Sequence, residues 1–166
     1  MTVPESFHAD AATLPWAENW AGDPSIRLQL LMADVEGGRF AVRMKFQPGV
    51  QVFPHKHTGE VHAFTQAGEW WYLEYPDSPT NRAGSYLFEP PGSTHTLKVA
   101  DDAVGETDVL FVIYGAMLHL DQAGNVVAVT DAESVLREYP QLLRQQGKQL
   151  PGAVPTGGAM AYRPLA

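Results

Sequence analysis

Apolar and polar residues alternate along much of the chain, in short runs that glycine and proline interrupt. The run at 39–46 shows the pattern clearly, because Phe40, Val42 and Met44 fall on every second position. A period of two sends apolar side chains to one face of a β-strand. The predicted strands cover residues 26–32, 39–46, 50–57, 60–66, 69–75, 86–89, 94–99, 108–114, 116–120 and 126–129. Short strands separated by turns predict an all-β sandwich or barrel.

The pattern changes near residue 131, where a helix is predicted. Thr130 or Asp131 can cap its first turn, and apolar residues then repeat at helical spacing to about residue 146. Pro140 falls within this repeat and is expected to kink or restart the helix. The predicted organisation is an N-terminal arm at 1–25, a β-barrel at 26–130, a helix at 131–147 and a tail at 148–166.

The two terminal segments show no sustained period. Trp16 and Trp20 lie in the arm, and large aromatic side chains are seldom left in water. We expect them to pack either on the barrel or on a second subunit, and the protein to be a homodimer or a higher homo-oligomer. The tail is rich in proline, glycine and alanine, and Tyr162 is the residue that would pin it to the barrel.

Composition and charge narrow the choice of partners. The 166 residues, 45% of them hydrophobic, suffice for one domain with its own core. A formal net charge of −8 argues against nucleic acid and against anionic membrane surfaces. The chain has no cysteine for disulfides or thiolate ligands, and no apolar stretch of membrane-spanning length. Because the N-terminus does not look like a secretion signal, a cytoplasmic location is expected.

Three histidines are candidate metal ligands. His55 and His57 are two residues apart on a predicted strand, so both side chains reach the same face. His95 follows a Pro-Gly turn and lies at the start of another predicted strand. Three neutral imidazoles suit iron, zinc, copper or nickel, and they leave positions open for water, substrate or dioxygen. The sequence therefore predicts a metal site at which chemistry can take place.

The spacing around these histidines resembles the two-part signature of the cupin superfamily. The first part is carried by Gly49, His55, His57 and Gly68, and the second by Gly84, Pro90, Gly92 and His95. Val99 stands where the second part usually ends in asparagine. Val61 stands where most cupins carry a glutamate ligand. The resemblance implies a double-stranded β-helix, or jelly-roll barrel, whose three histidines bind metal without that carboxylate.

Within the cupins, the sequence resembles the three-histidine group of acetylacetone-cleaving and 2,4'-dihydroxyacetophenone dioxygenases. Segments 83–97 and 115–127 carry this likeness, which extends over about residues 25–147. It implies a non-haem Fe(II) dioxygenase that cleaves a carbon–carbon bond beside a carbonyl, with both oxygen atoms entering the products. The implied substrates are dioxygen and a small diketone or hydroxyketone, and zinc and nickel are the alternative metals in purified protein.

Residues close to the histidines in sequence add further candidates. Glu89 is the candidate catalytic residue, as a proton acceptor or as a hydrogen-bond partner of a histidine. The alternative for Glu89 is a rim carboxylate that faces water. Alternation points His62 away from the metal, unless a bulge turns it inward as a fourth ligand. The aromatic run at 70–72 favours core packing, with a wall for an aromatic ketone as the alternative.

Two other functions compete with the dioxygenase. One is non-catalytic metal sensing, because a similar cupin module occurs in zinc-containing anti-sigma factors. An arm at 1–25 is short for the separate helical domain that grips a sigma factor, which argues against this function. The other is an isomerase or hydrolase that uses its metal only as a Lewis acid.

Overall fold

The computed structural model describes residues 7–150. That part of the chain contains thirteen β-strands, a short 3-10 turn at Trp20–Gly22 and one α-helix. The strands are β1 (Ala17–Glu18), β2 (Ile26–Asp34), β3 (Arg39–Phe46), β4 (His55–His57), β5 (Val61–Ala67), β6 (Glu69–Tyr72), β7 (Asn81–Arg82), β8 (Tyr86–Glu89), β9 (Thr94–His95), β10 (Leu97–Val99), β11 (Thr107–Tyr114), β12 (Met117–Leu120) and β13 (Val126–Thr130). The helix, α1, spans Ala132–Gln145.

The strands form three sheets that together make a jelly-roll barrel. One sheet has six strands in the order β1-β2-β3-β11-β5-β8. The other two have the orders β13-β12-β4-β9 and β10-β6-β7. The predicted fold class, all-β with a C-terminal helix, is confirmed.

The core is filled by the inward positions of alternating strands. β11 runs between β3 and β5, and its Val109, Phe111 and Ile113 are between 0% and 7% exposed. Phe40 and Val42 of β3 are buried with them. Because side chains on a strand alternate between faces, the sequence pattern is enough to identify these core positions.

The predicted strand at 94–99 is two strands in different sheets. β9 pairs with β4 and β10 pairs with β6, so the chain changes sheet at Thr96. The side chain of Glu74 holds this corner, because it accepts hydrogen bonds from the Thr96 N–H and hydroxyl, each at 2.7 Å. His95 and Leu97, on either side of the corner, are 1% and 4% exposed.

The predicted strand at 50–57 is regular only at its end. β4 covers His55–His57, because Pro54 has no N–H to donate to a neighbouring strand. The residues before it still follow β10, since the Val52 N–H donates to the Leu97 carbonyl at 2.9 Å.

The helix begins at the predicted cap. Asp131 accepts a hydrogen bond from the Ser134 N–H, and the Ser134 hydroxyl accepts one from the Asp131 N–H, which makes a capping box. Pro140 lies inside α1, and the helix continues through it instead of restarting. The buried stripe of α1, which packs on β1 and β2, includes Val135, Tyr139 and Leu143.

The N-terminal segment is joined to the barrel by a strand that the sequence did not predict. β1 pairs with β2, and Trp20 just after it is 6% exposed in the core. Trp16 is half-buried, and its ring lies 4.9–5.4 Å from the cationic groups of Arg27, Arg43 and Lys45. Both tryptophans therefore pack on their own barrel, the first of the two expected arrangements.

The predicted tail lies mostly beyond residue 150, and Tyr162 is therefore outside the described residues. Within residues 7–150, no helix is long and apolar enough to cross a bilayer.

Candidate metal centre

The three predicted ligands converge on one point inside the barrel. His55 and His57 share the inner face of β4. β9 lies beside β4, with His95 as the cross-strand partner of His55. One ring nitrogen of each histidine lies within 4.8 Å of those of the other two. The three residues are between 1% and 5% exposed, so the cluster is buried.

A tight turn at Pro91 and Gly92 places His95 next to His55 and His57. Gly92 has a φ of +87°, in the left-handed region that glycine adopts without strain. Its N–H donates to the His57 carbonyl at 2.8 Å, and the His57 N–H donates to the Ser93 carbonyl at 3.0 Å. The Pro-Gly turn therefore ties the start of β9 to the end of β4.

A buried carboxylate lies against the histidines. Glu89 of β8 is 3% exposed, and its Oε2 lies 3.3 Å from His57 Nε2 and 3.2 Å from His95 Nε2. The Tyr72 hydroxyl donates to Glu89 Oε1 at 2.5 Å, and the Tyr72 ring stacks on His95 with centroids 3.7 Å apart. Glu89 is therefore not a rim carboxylate that faces water.

Burial and neighbouring charges set the protonation of these groups. Burial lowers the pKa of His55 to about 3 and that of His57 to about 4. Burial alone would raise the pKa of Glu89, but interactions with His95, His57 and Tyr72 outweigh it and leave that pKa lowered. At neutral pH His55 and His57 are neutral and Glu89 is ionised, which are the states in which such groups bind metal.

The unpaired atoms of the cluster fit a cation. The buried side-chain atoms without a hydrogen-bond partner, among the described residues, include both ring nitrogens of His95, Nδ1 of His57 and Oε2 of Glu89. Unpaired buried polar atoms cost free energy, so their concentration in this one cluster indicates a missing partner. Nδ1 of His55 lies 3.0 Å from the Phe53 carbonyl, which can only accept, so its Nε2 is left for a ligand. The three-histidine site could therefore bind a metal ion.

Two spaces reach the cluster from different sides. An interior cavity reaches His55 and His57, and most of its wall is aromatic or aliphatic. An outer cleft reaches His95 and Glu89, and Tyr72 borders both spaces. The apolar lining of the cavity includes Trp20, Phe40, Phe46, Phe111 and Met117. A molecule in the cavity would thus meet the imidazoles of His55 and His57 at one end and apolar side chains along the rest of its surface.

The other histidine considered as a ligand lies elsewhere. His62 is on the outer face of β5, as alternation predicts, with its Nδ1 2.8 Å from the Tyr86 hydroxyl. It is not part of the candidate ligand cluster formed by the described residues.

Tyr72 was considered from the sequence only as part of the aromatic run at 70–72, and its contacts with Glu89 and His95 were not predicted. Alternation within the run at 70–72 places Trp70 and Tyr72 on one face, and both are buried. Tyr72 is the cross-strand partner of Leu97, two residues after His95. The signal for Tyr72 was this alternation, but the pairing of β6 with β10 was needed to place it beside His95.

Sequence comparison decides the family. The chain matches the ChrR cupin-like domain over residues 4–118, a span that contains all three histidines and Glu89. The protein belongs to this cupin family. No curated protein matches this cupin at a significant level.

Solved structures confirm the cupin-like fold. A cupin-like protein of unknown function from Ralstonia eutropha JMP134 is 32% identical, with a TM-score of 0.83 over 96% of this chain and 100% of that one. An RmlC-like cupin from the same organism is 23% identical, with a TM-score of 0.82 over 92% and 95% of the two chains. An acetylacetone dioxygenase from Acinetobacter johnsonii is 19% identical, with a TM-score of 0.68 over 86% and 95%. At these last two identities the likeness establishes the fold alone.

Proposed function

We propose that this cupin is a non-haem Fe(II) dioxygenase that cleaves a carbon–carbon bond next to the carbonyl of a small diketone or hydroxyketone. The observation that carries the proposal is the convergence of three buried imidazoles beside an ionised carboxylate, with an apolar cavity on the side of His55 and His57 and a cleft on the side of His95 and Glu89. The shared fold with an acetylacetone dioxygenase motivates the choice of reaction. In that reaction one carbon–carbon bond breaks and both atoms of dioxygen enter the products.

The histidines would hold the metal. His55, His57 and His95 each direct a ring nitrogen to one point, and the contact of His55 with the Phe53 carbonyl fixes its ring. An iron ion held there would supply the positive charge that favours an enolate and the redox chemistry that dioxygen requires.

Glu89 would accept the substrate proton. Its lowered pKa keeps the carboxylate ionised at neutral pH, so Oε2 can take a proton from the carbon between or beside the carbonyls. The Tyr72 hydroxyl holds Oε1 and therefore aims Oε2 at the cluster. Burial keeps bulk water away from this proton transfer.

The cavity would select the substrate. Its wall has no Lys, Arg, Asp or Glu side chain among the described residues, so a charged substrate would lose its hydration without a counter-charge. An uncharged ketone with a small apolar substituent fits this lining.

The test is oxygen uptake by anaerobically iron-loaded protein offered a panel of 1,3-diketones and 2-hydroxyacetophenones. We expect uptake that matches product formation and that is lost in His95→Ala. His62→Ala is the matched control, because it removes a histidine outside the cluster, and it should retain activity. No uptake from protein that holds one iron per chain would contradict the proposal.

A second candidate is a non-catalytic metal-binding cupin. The observation that favours it is the position of Glu89 Oε2, 3.2–3.3 Å from two of the histidine nitrogens, because four protein donors make a closed site typical of structural zinc. X-ray absorption of the zinc-loaded protein separates the two candidates. A closed site predicts four protein donors in the wild type and the loss of one in Glu89→Gln, whereas an open site predicts a bound water in both.

A further inference from the structure

The two spaces that reach the metal centre differ in size. The interior cavity, on the side of His55 and His57, has a volume of about 60 Å³. The outer cleft, on the side of His95 and Glu89, has a volume of about 310 Å³. For comparison, an apolar cavity of about 150 Å³ holds one benzene molecule. The interior cavity is therefore too small for an aromatic ring, whereas the cleft is large enough for one.

Aromatic and proline side chains form much of the wall of the cleft. Trp71 of β6 and Tyr75 just after it border the cleft, together with Pro79. The ring of Tyr75 stands nearly perpendicular to that of Tyr72, with an interplanar angle of 84° and the centroids 6.1 Å apart. Tyr72 in turn stacks on His95. A planar ring in the cleft would therefore meet aromatic side chains beside a candidate metal ligand.

Hydrogen bonds fix the position of this wall. Glu74, next to Tyr75, accepts hydrogen bonds from the Thr96 N–H and hydroxyl, each at 2.7 Å. The Leu73 N–H donates to the Thr96 carbonyl at 3.0 Å, and the Ser78 N–H donates to the Tyr75 carbonyl at 3.0 Å. The loop that carries Tyr75 is thus tied to the corner between β9 and β10. A wall that is already ordered loses less conformational entropy when a ligand binds.

The polar groups of the cleft favour an uncharged ligand. The wall contains the carboxylate of Glu89 and no Lys, Arg or Asp side chain among the described residues. An anion would be repelled there, and a cation would pair with the carboxylate that the proposed reaction needs. Ser93 also borders the cleft, and its buried Oγ has no hydrogen-bond partner within the described part of the chain. That hydroxyl can donate to a carbonyl oxygen of a bound molecule.

We infer that the substrate is an unsymmetrical ketone, with an aromatic ring in the outer cleft and a small apolar substituent in the interior cavity. The inference rests on the proposed function, because it takes the carbonyls to bind at the metal centre between the two spaces. One ring is accommodated, and a second ring has no room. Tyr75 determines specificity on the cleft side. Met117, which borders the cavity and is the cross-strand partner of His57, limits the size of the other substituent.

The test is isothermal titration calorimetry of the zinc-loaded full chain with three ketones. Zinc supplies the positive charge that favours an enolate but no redox chemistry, so binding is measured without turnover. Acetylacetone has a methyl group at both ends, benzoylacetone has a ring at one end, and dibenzoylmethane has a ring at both ends. We expect benzoylacetone to bind about tenfold or more tightly than acetylacetone, because its ring buries additional apolar surface. Dibenzoylmethane should bind more weakly than benzoylacetone by a similar factor.

Three variants assign the two spaces. Tyr75→Ala removes part of the cleft wall and should reduce the preference for benzoylacetone over acetylacetone. Tyr86→Ala is the matched control, because Tyr86 is 53% exposed and borders neither space, and it should keep the preference of the wild type. Met117→Ala enlarges the interior cavity and should tighten the binding of dibenzoylmethane. A gain in affinity cannot result from a failure to fold.

Several results would each overturn the inference. They are equal affinities for acetylacetone and benzoylacetone, a wild type that binds dibenzoylmethane as tightly as benzoylacetone, an unchanged preference in Tyr75→Ala, or no binding of any of the three ketones. Oxygen uptake by the iron-loaded protein separates this inference from the proposed function. If the expected order of affinities holds without uptake, the cleft binds the ring and the proposed reaction is wrong. If all three ketones support uptake equally well, the reaction stands and the inference is overturned.

Discussion

Glu89 is the cross-strand partner of Val61 in the antiparallel pair of β5 and β8. Both residues are buried, at 3% and 0% exposure. Val61 occupies the position at which most cupins, by the sequence resemblance, carry a glutamate ligand. The carboxylate at this centre therefore comes from the neighbouring strand, and it is held by the Tyr72 hydroxyl at 2.5 Å.

Replacing Glu89 by glutamine tests whether this carboxylate moves a proton. Glutamine keeps the size of the side chain but cannot accept a proton, so we expect turnover to fall by about 10²–10⁴-fold while iron content is kept. Steady-state oxygen uptake and metal analysis on the same sample measure both quantities. Tyr72→Phe should show a smaller loss, because it removes only the group that orients Glu89. Unchanged turnover in Glu89→Gln would contradict the assigned role.

The metal-free protein should lose stability on acidification. The pKa values of His55 and His57, about 3 and about 4, lie below the usual 6.5, so below that pH the unfolded chain binds more protons than the folded one. The free energy of unfolding should therefore fall between about pH 7 and about pH 5, by about 2 kcal/mol for each histidine. Urea unfolding of the metal-free protein across this range measures the change.

One histidine variant supplies the control for this pH dependence. His57→Asn removes one of the buried titrating groups and should reduce the slope of stability against pH. A free energy of unfolding that stays constant between about pH 7 and about pH 5 would be incompatible with buried neutral histidines.

The two tryptophans of the N-terminal segment should differ in their contribution to stability. Trp20 is 6% exposed and borders the interior cavity, so Trp20→Ala should lower the free energy of unfolding by about 3–5 kcal/mol. Trp16 is half-buried over three cations, and Trp16→Ala should cost about 1 kcal/mol. Urea unfolding compares the variants, and a loss in Trp20→Ala no larger than that expected for Trp16→Ala, about 1 kcal/mol, would contradict the packing of Trp20 in the core.

The three histidines could be predicted from the sequence because their placement depends on local geometry. A strand repeats every two residues, which puts His55 and His57 on one face. The Pro-Gly turn before His95 has a conformation that the glycine itself indicates, with a φ of +87° at Gly92. The convergence of the strands was an inference from the cupin resemblance, and the register of β4 with β9 supports it.

The sequence offered Glu89 as a candidate beside these histidines but could not decide whether it faces them or water, because their environment depends on long-range pairing. The position of Glu89 depends on the register of β8 with β5, and that of Tyr72 on the pairing of β6 with β10. The change of sheet at Thr96 could not be predicted for a similar reason. The side chain that accepts hydrogen bonds from Thr96, Glu74, is 22 residues away in sequence. The packing of Trp20 likewise requires β1, which is too short to show a period.

The central claim is that His55, His57 and His95 hold a metal ion, and metal content tests it most directly. Wild type, His95→Ala and His62→Ala are loaded with iron under anaerobic conditions, desalted and analysed by mass spectrometry for metal per chain. We predict one iron per chain in the wild type and in His62→Ala, and a large loss in His95→Ala. A wild type that retains no metal, or a His95→Ala variant that retains as much as the wild type, would contradict the claim.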